Sequence, residues 1–148
     1  MNRHYTADEY KDLVRRIRAH FDNAAITTDL MVGFPGEDEQ EFETSCRFVE
    51  EVGFAKVHAF AYSRRPGTKA DKMPDQVTQK VKEERSRRLI AVSDKVRQTF
   101  LQSQIGKTVR VLLETHGDER GIFGYSENYT PVYVKTDREL HGKIISVR

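Results

Sequence analysis

The stretch Thr27-Thr28-Asp29-Leu30-Met31-Val32-Gly33-Phe34-Pro35-Gly36-Glu37 has the pattern of a buried strand that ends in a glycine-bracketed loop and leads into a helix. Its apolar and β-branched residues surround one carboxylate, Asp29, whose charge is costly to bury without a partner. A glycine at each end of the loop lets a ligand come close to the backbone. Loops at the carboxyl ends of strands in βα units often carry the chemistry. The stretch therefore predicts either a ligand-binding loop or an ordinary βα turn with a solvated Asp29.

Helical patterns flank this stretch. Thr6 and Glu9 predict a capping box at the start of one helix, which ends near residues 22–23. A second helix is predicted from Asp38, with Gly53 suited to the position just after its last turn. The single cysteine, Cys46, lies on the apolar stripe of this second helix. It is therefore either a core residue or a reactive thiol.

A second strand is predicted over Phe54–Ala61. The near-continuous apolar and β-branched content of the first strand suits a parallel strand that is covered on both faces. Alternation places His58 on a polar and aromatic face of the second strand, together with Lys56, Phe60 and Tyr62. This face indicates either a strand that lines a cavity, into which Asp29 and His58 both point, or a half-exposed edge strand with a wetted His58.

The loop Tyr62–Thr68 follows the second strand and contains the pair Arg64 and Arg65. Paired arginines can hold a carboxylate or phosphate through two hydrogen bonds each. Residues 69–76 have the composition of a linker. A long helix is then predicted from Asp75, as its cap, to Gln104, with an apolar stripe that is interrupted at Arg85.

Charge is unevenly distributed along the 148 residues. The net charge is −3 over residues 1–76, +4 over residues 77–104 and +1 over residues 105–148, which together give +2. The basic segment indicates either a contact with a polyanion or a solvated helix face. One cysteine excludes an internal disulfide and a multi-cysteine metal site within this sequence. Because no long apolar run and no signal-peptide pattern occurs, we expect a cytoplasmic protein without a membrane partner.

Residues 105–148 have the short, closely spaced strand patterns of a small all-β barrel similar to oligonucleotide-binding barrels. Aromatic residues and cations occur together in this segment. They include Lys107, Arg110, Phe123, Tyr125, Tyr129, Tyr133 and Lys143. Stacking aromatics and phosphate-binding cations are what single-stranded RNA binding requires. The alternative is that the aromatic side chains fill the core of the barrel.

Four segments together resemble the radical SAM methylthiotransferases that modify tRNA. They are Asn2-Arg3-His4-Tyr5-Thr6, Thr28–Glu37, Phe60–Thr68 and Gly124-Tyr125-Ser126-Glu127-Asn128-Tyr129. The start Arg3-His4-Tyr5 and the strand Lys56-Val57-His58 resemble the branch acting on threonylcarbamoyladenosine more than the isopentenyladenosine branch. The resemblance covers essentially the whole chain.

The resemblance implies a partial radical SAM (βα) barrel over residues 1–76, a connecting helix over residues 77–104 and a truncated TRAM domain over residues 105–148. It implies sulfur insertion at an adenine carbon followed by methylation, with S-adenosylmethionine and two 4Fe-4S clusters in the full-length parent. The expected partners are the anticodon stem-loop of tRNA and a missing N-terminal part of the same chain.

The resemblance also assigns roles. Gly33, Phe34, Pro35 and Gly36 would approach the adenosine end of S-adenosylmethionine, and the same mouth would be lined by Tyr62 and Ser63. Asp29 and His58 would help to place cofactor or adenosine. The expected ligands of a carboxylate or tRNA phosphate are Arg64 and Arg65. The expected RNA-binding residues of the TRAM segment are Lys107, Arg110, Tyr125 and Lys143.

The sequence departs from the family where the cluster is held. The family's cluster cysteines are absent, and Cys46 matches none of them. We therefore expect a fragment cut at both ends that binds no cluster and is inactive alone, although the parent is a transferase. An inert RNA-binding fragment is the alternative function. Open sheet edges predict a homodimer or a domain swap.

Overall fold

The structure, a computed structural model, describes residues 4–148, so Asn2 and Arg3 of the first family-like segment lie outside the described residues. It divides into two compact units. The first runs to Asp22 and resumes at Ile26–Phe100, and the second comprises Asn23–Ala25 and Leu101–Arg148. Each unit contains one small sheet, and the fold is mixed α/β as predicted.

Two helices of the first unit begin at capping boxes. Helix α1 (Ala7–His20) starts after Thr6, whose hydroxyl accepts a hydrogen bond from the Glu9 amide at 3.2 Å. Helix α2 (Glu39–Val52) starts after Asp38, which is paired in the same way with Glu41, and it ends at Gly53 with φ of 65°. The predicted capping box at Thr6, the helix start at Asp38 and the position of Gly53 are confirmed, since each depends on a few neighbouring residues.

The sheet of the first unit has two parallel strands, β1 (Thr27–Val32) and β2 (Lys56–Ala61). Their register places Asp29 opposite His58. One face packs on the helices and contributes to a core of buried side chains. This core consists of Val14, Val32, Phe42, Val49, Val52, Phe54, Leu89 and Val96, with Ile26, Leu30, Cys46, Val57, Ala59 and Ala61 against it. The core interpretation of Cys46 is thereby supported.

The other face of this sheet is bare, which corrects the prediction that both faces are covered. Asp29, His58 and Lys56 are exposed on it, and Phe60 is 43% exposed. The reason is that all the helical packing against the sheet in residues 4–148 involves the opposite face. Asp29 is therefore a solvated carboxylate in this structure and not a buried one.

Helix α3 (Gln79–Gln102) begins four residues later than predicted. Asp75 is not its cap, because Asp75 has φ of 55°, and its carbonyl instead accepts a hydrogen bond from the Gly36 amide at 3.0 Å. Thr78 precedes the first turn, and its carbonyl accepts a hydrogen bond from the Lys82 amide at 3.1 Å. The predicted linker before it contains a short 3₁₀ helix, Ala70–Lys72.

The second unit contains four antiparallel strands, β3 (Val109–Leu113), β4 (Ile122–Ser126), β5 (Pro131–Val134) and β6 (Ile144–Val147). Their order in the sheet is β5-β4-β3-β6. One face carries the core of this unit. Its members are Val111, Leu113 and Ile122, with Val109, Val132, Val134, Leu140, Ile145 and Val147 packed against them.

Within residues 4–148 this second sheet is open and forms no closed barrel, whereas the sequence predicts a truncated TRAM domain with open sheet edges. Closure requires the two outermost strands to pair, and β5 and β6 lie at opposite edges without such a partner. The short strands predicted within residues 105–148 are confirmed, because alternation and turn residues are local signals.

None of the helices described in residues 4–148 is both long and apolar enough to cross a membrane.

Candidate functional site

The loop after β1 is held in a fixed shape by backbone and side-chain hydrogen bonds. Gly33 and Gly36 have φ of 70° and 85°, which are angles that favour glycine. The Gly33 amide donates to the Glu37 carboxylate at 2.9 Å, and the Glu37 amide donates to the Phe34 carbonyl at 2.9 Å. The predicted glycine-bracketed loop is therefore closed on itself by the side chain that follows it.

A buried arginine from α3 holds the same glutamate. The Arg85 guanidinium lies 2.8 Å from the Glu37 carboxylate and donates to the Glu37 carbonyl at 2.9 Å. The side chains of Arg85 and Glu37 are 6% and 14% exposed. An ion pair this deeply buried requires good geometry to repay its desolvation, and the double contact to Glu37 supplies it.

Charged side chains extend this pair toward solvent. Arg85 and Arg88 both contact the Glu39 carboxylate, and Arg88 also contacts Glu84 and Glu43. The hydrogen bond from Arg88 lowers the pKa of Glu39 below its usual value of 4.5. Arg85 and Arg88 also lie over the Phe42 ring, at 5.5 and 4.7 Å from its centroid. The carboxylates on α2 thus bind α3 at the base of the loop.

An aromatic pair lies beside the loop. The rings of Phe34 and Tyr62 meet edge to face at 5.4 Å, and the Tyr62 amide donates to the Val32 carbonyl at 2.8 Å. Tyr62 is buried, and its hydroxyl has no hydrogen-bond partner within residues 4–148. The Lys82 ammonium lies 5.0 Å from the centre of the Tyr62 ring.

The other residues predicted to bind cofactor or substrate have varied surroundings. Pro35 is buried, and Gly36 and Ser63 are exposed. Asp29 and His58 are neighbours in the sheet register on the bare face. Arg64 and Arg65 do not act as a pair: Arg64 binds Asp71 of its own loop, with Nε 3.0 Å from the carboxylate, while Arg65 is exposed.

The bare face of the second sheet is aromatic. Phe123 lies 4.9 Å from Tyr125 and 5.0 Å from Tyr133 between ring centres, and Tyr125 lies 6.0 Å from Tyr129. Tyr129 and Tyr133 are 82% and 44% exposed. The hypothesis that these aromatic side chains fill the core is wrong, because aliphatic residues fill it from the other face. We call this cluster of Phe123, Tyr125, Tyr129 and Tyr133 the aromatic face.

An open groove of about 330 Å³ adjoins the aromatic face. It is lined by Arg110, Leu112, Glu114, Tyr125, Ser126, Glu127, Tyr129 and Ile144. Leu112 and Ile144 are 41% and 57% exposed, and sequence reasoning did not single them out. Their alternation with the core residues of β3 and β6 is the signal that places them on this side of the sheet.

The predicted cations of the second unit have different surroundings. Arg110 lines the groove and pairs with Glu127 at 3.4 Å. Lys107 donates to the Asn23 side chain at 2.6 Å, and Lys143 is exposed. Arg120, another cation of this segment, lies over the Tyr133 ring at 4.9 Å from its centre. Arg110 and Arg120 therefore lie next to the aromatic face.

The described residues do not fit a 4Fe-4S cluster. Such clusters are held by several cysteine thiolates, whereas the chain has one cysteine. Burial raises the pKa of the Cys46 thiol, which favours the protonated form that does not bind iron. Among residues 4–148 there is also no group of three or more His, Cys, Asp or Glu side chains placed to hold a metal ion.

The chain is similar over nearly its whole length to curated proteins named tRNA-2-methylthio-N(6)-dimethylallyladenosine synthase. The protein from Pelotomaculum thermopropionicum is 40% identical over 149 residues, which cover 99% of this chain and 33% of the relative. The one from Oceanobacillus iheyensis is 42% identical over 99% of this chain and 29% of its own length. The one from Staphylococcus aureus (strain JH9) is 39% identical over 100% of this chain and 29% of its own length.

The chain thus spans about a third of the length of the relatives it matches. The names confirm the predicted similarity to enzymes of tRNA methylthio modification. They do not confirm the threonylcarbamoyladenosine branch, since each of these relatives is named for dimethylallyladenosine. No protein-family model matches the chain.

Proposed function

We propose that this chain is part of a tRNA-modifying enzyme that adds a methylthio group to an N6-substituted adenosine by radical SAM chemistry. The observation that carries the proposal is the identity of about 40% with tRNA methylthio-modifying synthases over nearly the entire chain. The relatives' names favour the enzyme over an inert RNA-binding module. They also favour N6-dimethylallyladenosine as the substrate, in place of the threonylcarbamoyladenosine predicted from the sequence.

In this proposal the first unit is a piece of a radical SAM barrel, and its Gly33–Gly36 loop contacts S-adenosylmethionine. The loop suits a nucleoside ligand, because its backbone is rigidly bound to Glu37 and the Phe34–Tyr62 pair supplies an apolar wall. The bare face with Asp29 and His58 would lie toward the reacting groups. The 4Fe-4S clusters would supply the electron for S-adenosylmethionine cleavage, and their ligands would come from cysteines that this sequence lacks.

We further propose that the second unit, as a TRAM-like domain, binds the anticodon stem-loop with its aromatic face. Unpaired bases stack on exposed aromatic rings, and nearby cations contact phosphates. Tyr129 and Tyr133 are accessible for stacking, and Arg110, Arg120 and Lys143 are candidates for phosphate contact. Arg64 and Arg65 are further candidates on the first unit, although Arg64 would have to exchange its contact with Asp71.

Nucleoside analysis of tRNA tests the enzymatic proposal. A whole protein containing this chain is expressed in cells that lack their own tRNA methylthiotransferases, and digested tRNA is analysed by mass spectrometry. We expect 2-methylthio-N6-dimethylallyladenosine. The threonylcarbamoyl product alone would reject the proposed substrate but keep the reaction, whereas tRNA without any methylthio product would reject the enzymatic proposal.

Binding of an anticodon stem-loop by the 148-residue chain tests the RNA-binding proposal. We expect affinity that falls with rising salt and that is reduced roughly tenfold by Tyr129→Ala, since one stacked base contributes about 1–3 kcal/mol. Arg110→Ala should reduce the affinity and the salt dependence together. Lys72→Ala, which removes an exposed charge from the first unit, is the matched control. Equal losses in Arg110→Ala and Lys72→Ala would show that binding depends on net charge alone.

A further inference from the structure

Lys82 is buried without an opposite charge. Its residue is 7% exposed, and no carboxylate in residues 4–148 forms an ion pair with it. The neighbouring arginine on α3, Arg85, is buried to the same degree but has Glu37 as its partner. Unlike the Arg85 guanidinium, the Lys82 ammonium group therefore has no charged partner among the described residues.

The position of Lys82 in the helix strengthens this point. Lys82 is the fourth residue of α3, in its first turn, where the helix dipole favours negative charge. A lysine in this turn is unfavourable for the helix by itself. It becomes favourable when an anion lies between the ammonium group and the end of the helix.

The lysine stem is fixed against the loop. A Cβ placed on Gly33 would lie 2.5 Å from Lys82 Cγ, so the stem occupies the space that only a glycine leaves open. From there the ammonium group reaches the Tyr62 ring, 5.0 Å from its centre. Phe34 contacts the same Tyr62 ring edge to face, at 5.4 Å between ring centres.

The Tyr62 side chain, whose ring the Lys82 ammonium group approaches, also has a polar group without a hydrogen-bond partner in the described residues. Tyr62 is 8% exposed, and its hydroxyl makes no hydrogen bond within residues 4–148. The Ser86 hydroxyl, one turn after Lys82 on the same side of α3, is also buried and without a partner in the described residues. Buried hydroxyl groups are nearly always hydrogen-bonded, so an unsatisfied one indicates a missing ligand or water.

We propose that the Lys82 ammonium group and the Tyr62 hydroxyl form an oxyanion subsite beside the Gly33–Gly36 loop, which takes a carboxylate or phosphate oxygen of the bound ligand. The subsite deepens the proposed function: there the oxygen comes from the carboxylate of S-adenosylmethionine or from a phosphate of RNA. No bond is made or broken, and Lys82 acts as a binding residue.

Thermal melting of the 148-residue chain tests the subsite. Sodium phosphate or sodium acetate replaces sodium chloride at constant ionic strength, because a ligand that binds the folded chain raises its melting temperature. We expect both anions to raise the melting temperature of the wild type. A stronger response to acetate assigns the subsite to a carboxylate, and a stronger response to phosphate assigns it to a phosphate group.

Three variants show whether the melting response comes from the subsite or from a general effect of salt. Lys82→Met keeps the apolar stem against Gly33 and removes the charge, so it should melt at or above the wild-type temperature without anion and lose the response. Tyr62→Phe should weaken the anion affinity about tenfold, the value of one charge-assisted hydrogen bond. Lys80→Met, on the same helix and exposed, is the matched control and should respond like the wild type.

A direct measurement complements the melting curves. Amide NMR shifts of Gly33 and Tyr62 should saturate with added phosphate or acetate in the wild type and in Lys80→Met, but not in Lys82→Met. If the wild type shows no saturable response, or if Lys82→Met responds like Lys80→Met, the subsite is rejected. Since tRNA nucleoside analysis tests the function separately, the subsite and the proposed function can each fail alone.

Discussion

The two sheets of this chain each pack one face and leave the other bare, but they do so by different means. In the first unit the bare face is polar, and the loop beside it is shaped by Arg85, a residue 48 positions away from Glu37 in sequence. In the second unit the bare face is aromatic, and simple alternation along antiparallel strands determines it. The candidate ligand loop therefore depends on distant charges, whereas the aromatic face depends on local strand geometry.

Replacing the buried arginine should have the largest effect. Arg85→Met leaves the Glu37 carboxylate without its partner, which we expect to destabilise the first unit by about 3–5 kcal/mol. Urea denaturation measures the loss, and hydrogen exchange at the Gly33 amide shows whether the loop opens. Arg87→Met, exposed on the same helix, is the control and should change stability by no more than about 0.5 kcal/mol.

The double variant Arg85→Met with Glu37→Gln should recover part of the loss, because no unpaired charge remains. A single variant as stable as the wild type would show that the loop does not depend on this ion pair.

Glycine substitutions compare how tightly the two units are packed. A Cβ on Gly124 would lie 2.0 Å from the backbone oxygen of Leu112, which the sheet cannot move, so Gly124→Ala should cost about 3 kcal/mol. A Cβ on Gly33 meets a side-chain atom, Lys82 Cγ, which can shift more readily than backbone, and we expect a loss of about 1–2 kcal/mol there, including the cost of the positive φ.

Gly36→Ala is the matched control, since Gly36 also has a positive φ but no atom within 4 Å of the added Cβ. The loss of stability in Gly36→Ala measures the cost of the positive φ alone. Thermal denaturation of Gly124→Ala, Gly33→Ala and Gly36→Ala gives the order of the three losses. Equal losses for Gly33→Ala and Gly36→Ala would mean that the Lys82 stem does not press on the loop.

The smallest expected effect is on how the stability of the folded chain depends on pH. Since Arg88 lowers the pKa of Glu39 below 4.5, this carboxylate stabilises the folded state above the pKa it has when unfolded. That contribution is lost as the pH falls through the lowered pKa. Glu39→Gln should therefore melt at a lower temperature than the wild type at neutral pH, and the difference should shrink below about pH 4.5.

Melting curves from pH 3 to 7 measure this difference. Asp118→Asn is a control in the second unit, where the Arg120 amide lowers the pKa of Asp118 in the same direction without any link to α3. A difference between Glu39→Gln and the wild type that stays constant down to pH 3 would contradict the role of the Arg88 contact.

Local patterns predicted much of this fold. The capping box at Thr6, the helix start at Asp38, the left-handed Gly53 and the glycine-bracketed loop depend on residues a few positions apart, and the structure has all of them. The start of α3 was predicted wrongly, because Asp75 looks like a cap in the sequence. In the structure its carbonyl is used by Gly36 instead.

Local sequence patterns predict only part of the candidate site. The sequence predicts the loop, but it shows Arg85 only as an interruption of the apolar stripe within the basic segment, and it does not single out Lys82. A sequence does not show which charged residue will be buried, because that depends on which element packs over it. Arg64 and Arg65 illustrate the converse, since adjacency in sequence did not make them a pair in the structure.

The sequence by itself determined the mixed α/β class, the positions of the strands and the alternation that separates aliphatic from aromatic residues in the second unit. Only the tertiary structure decided that Arg85 closes the loop through Glu37, that Lys82 lies buried against Gly33 and Tyr62, and that Asp29 is exposed. The physical reason is range: caps, turns and alternation are set by neighbouring residues, whereas the burial of a charge and the choice of its partner depend on contacts between distant parts of the chain.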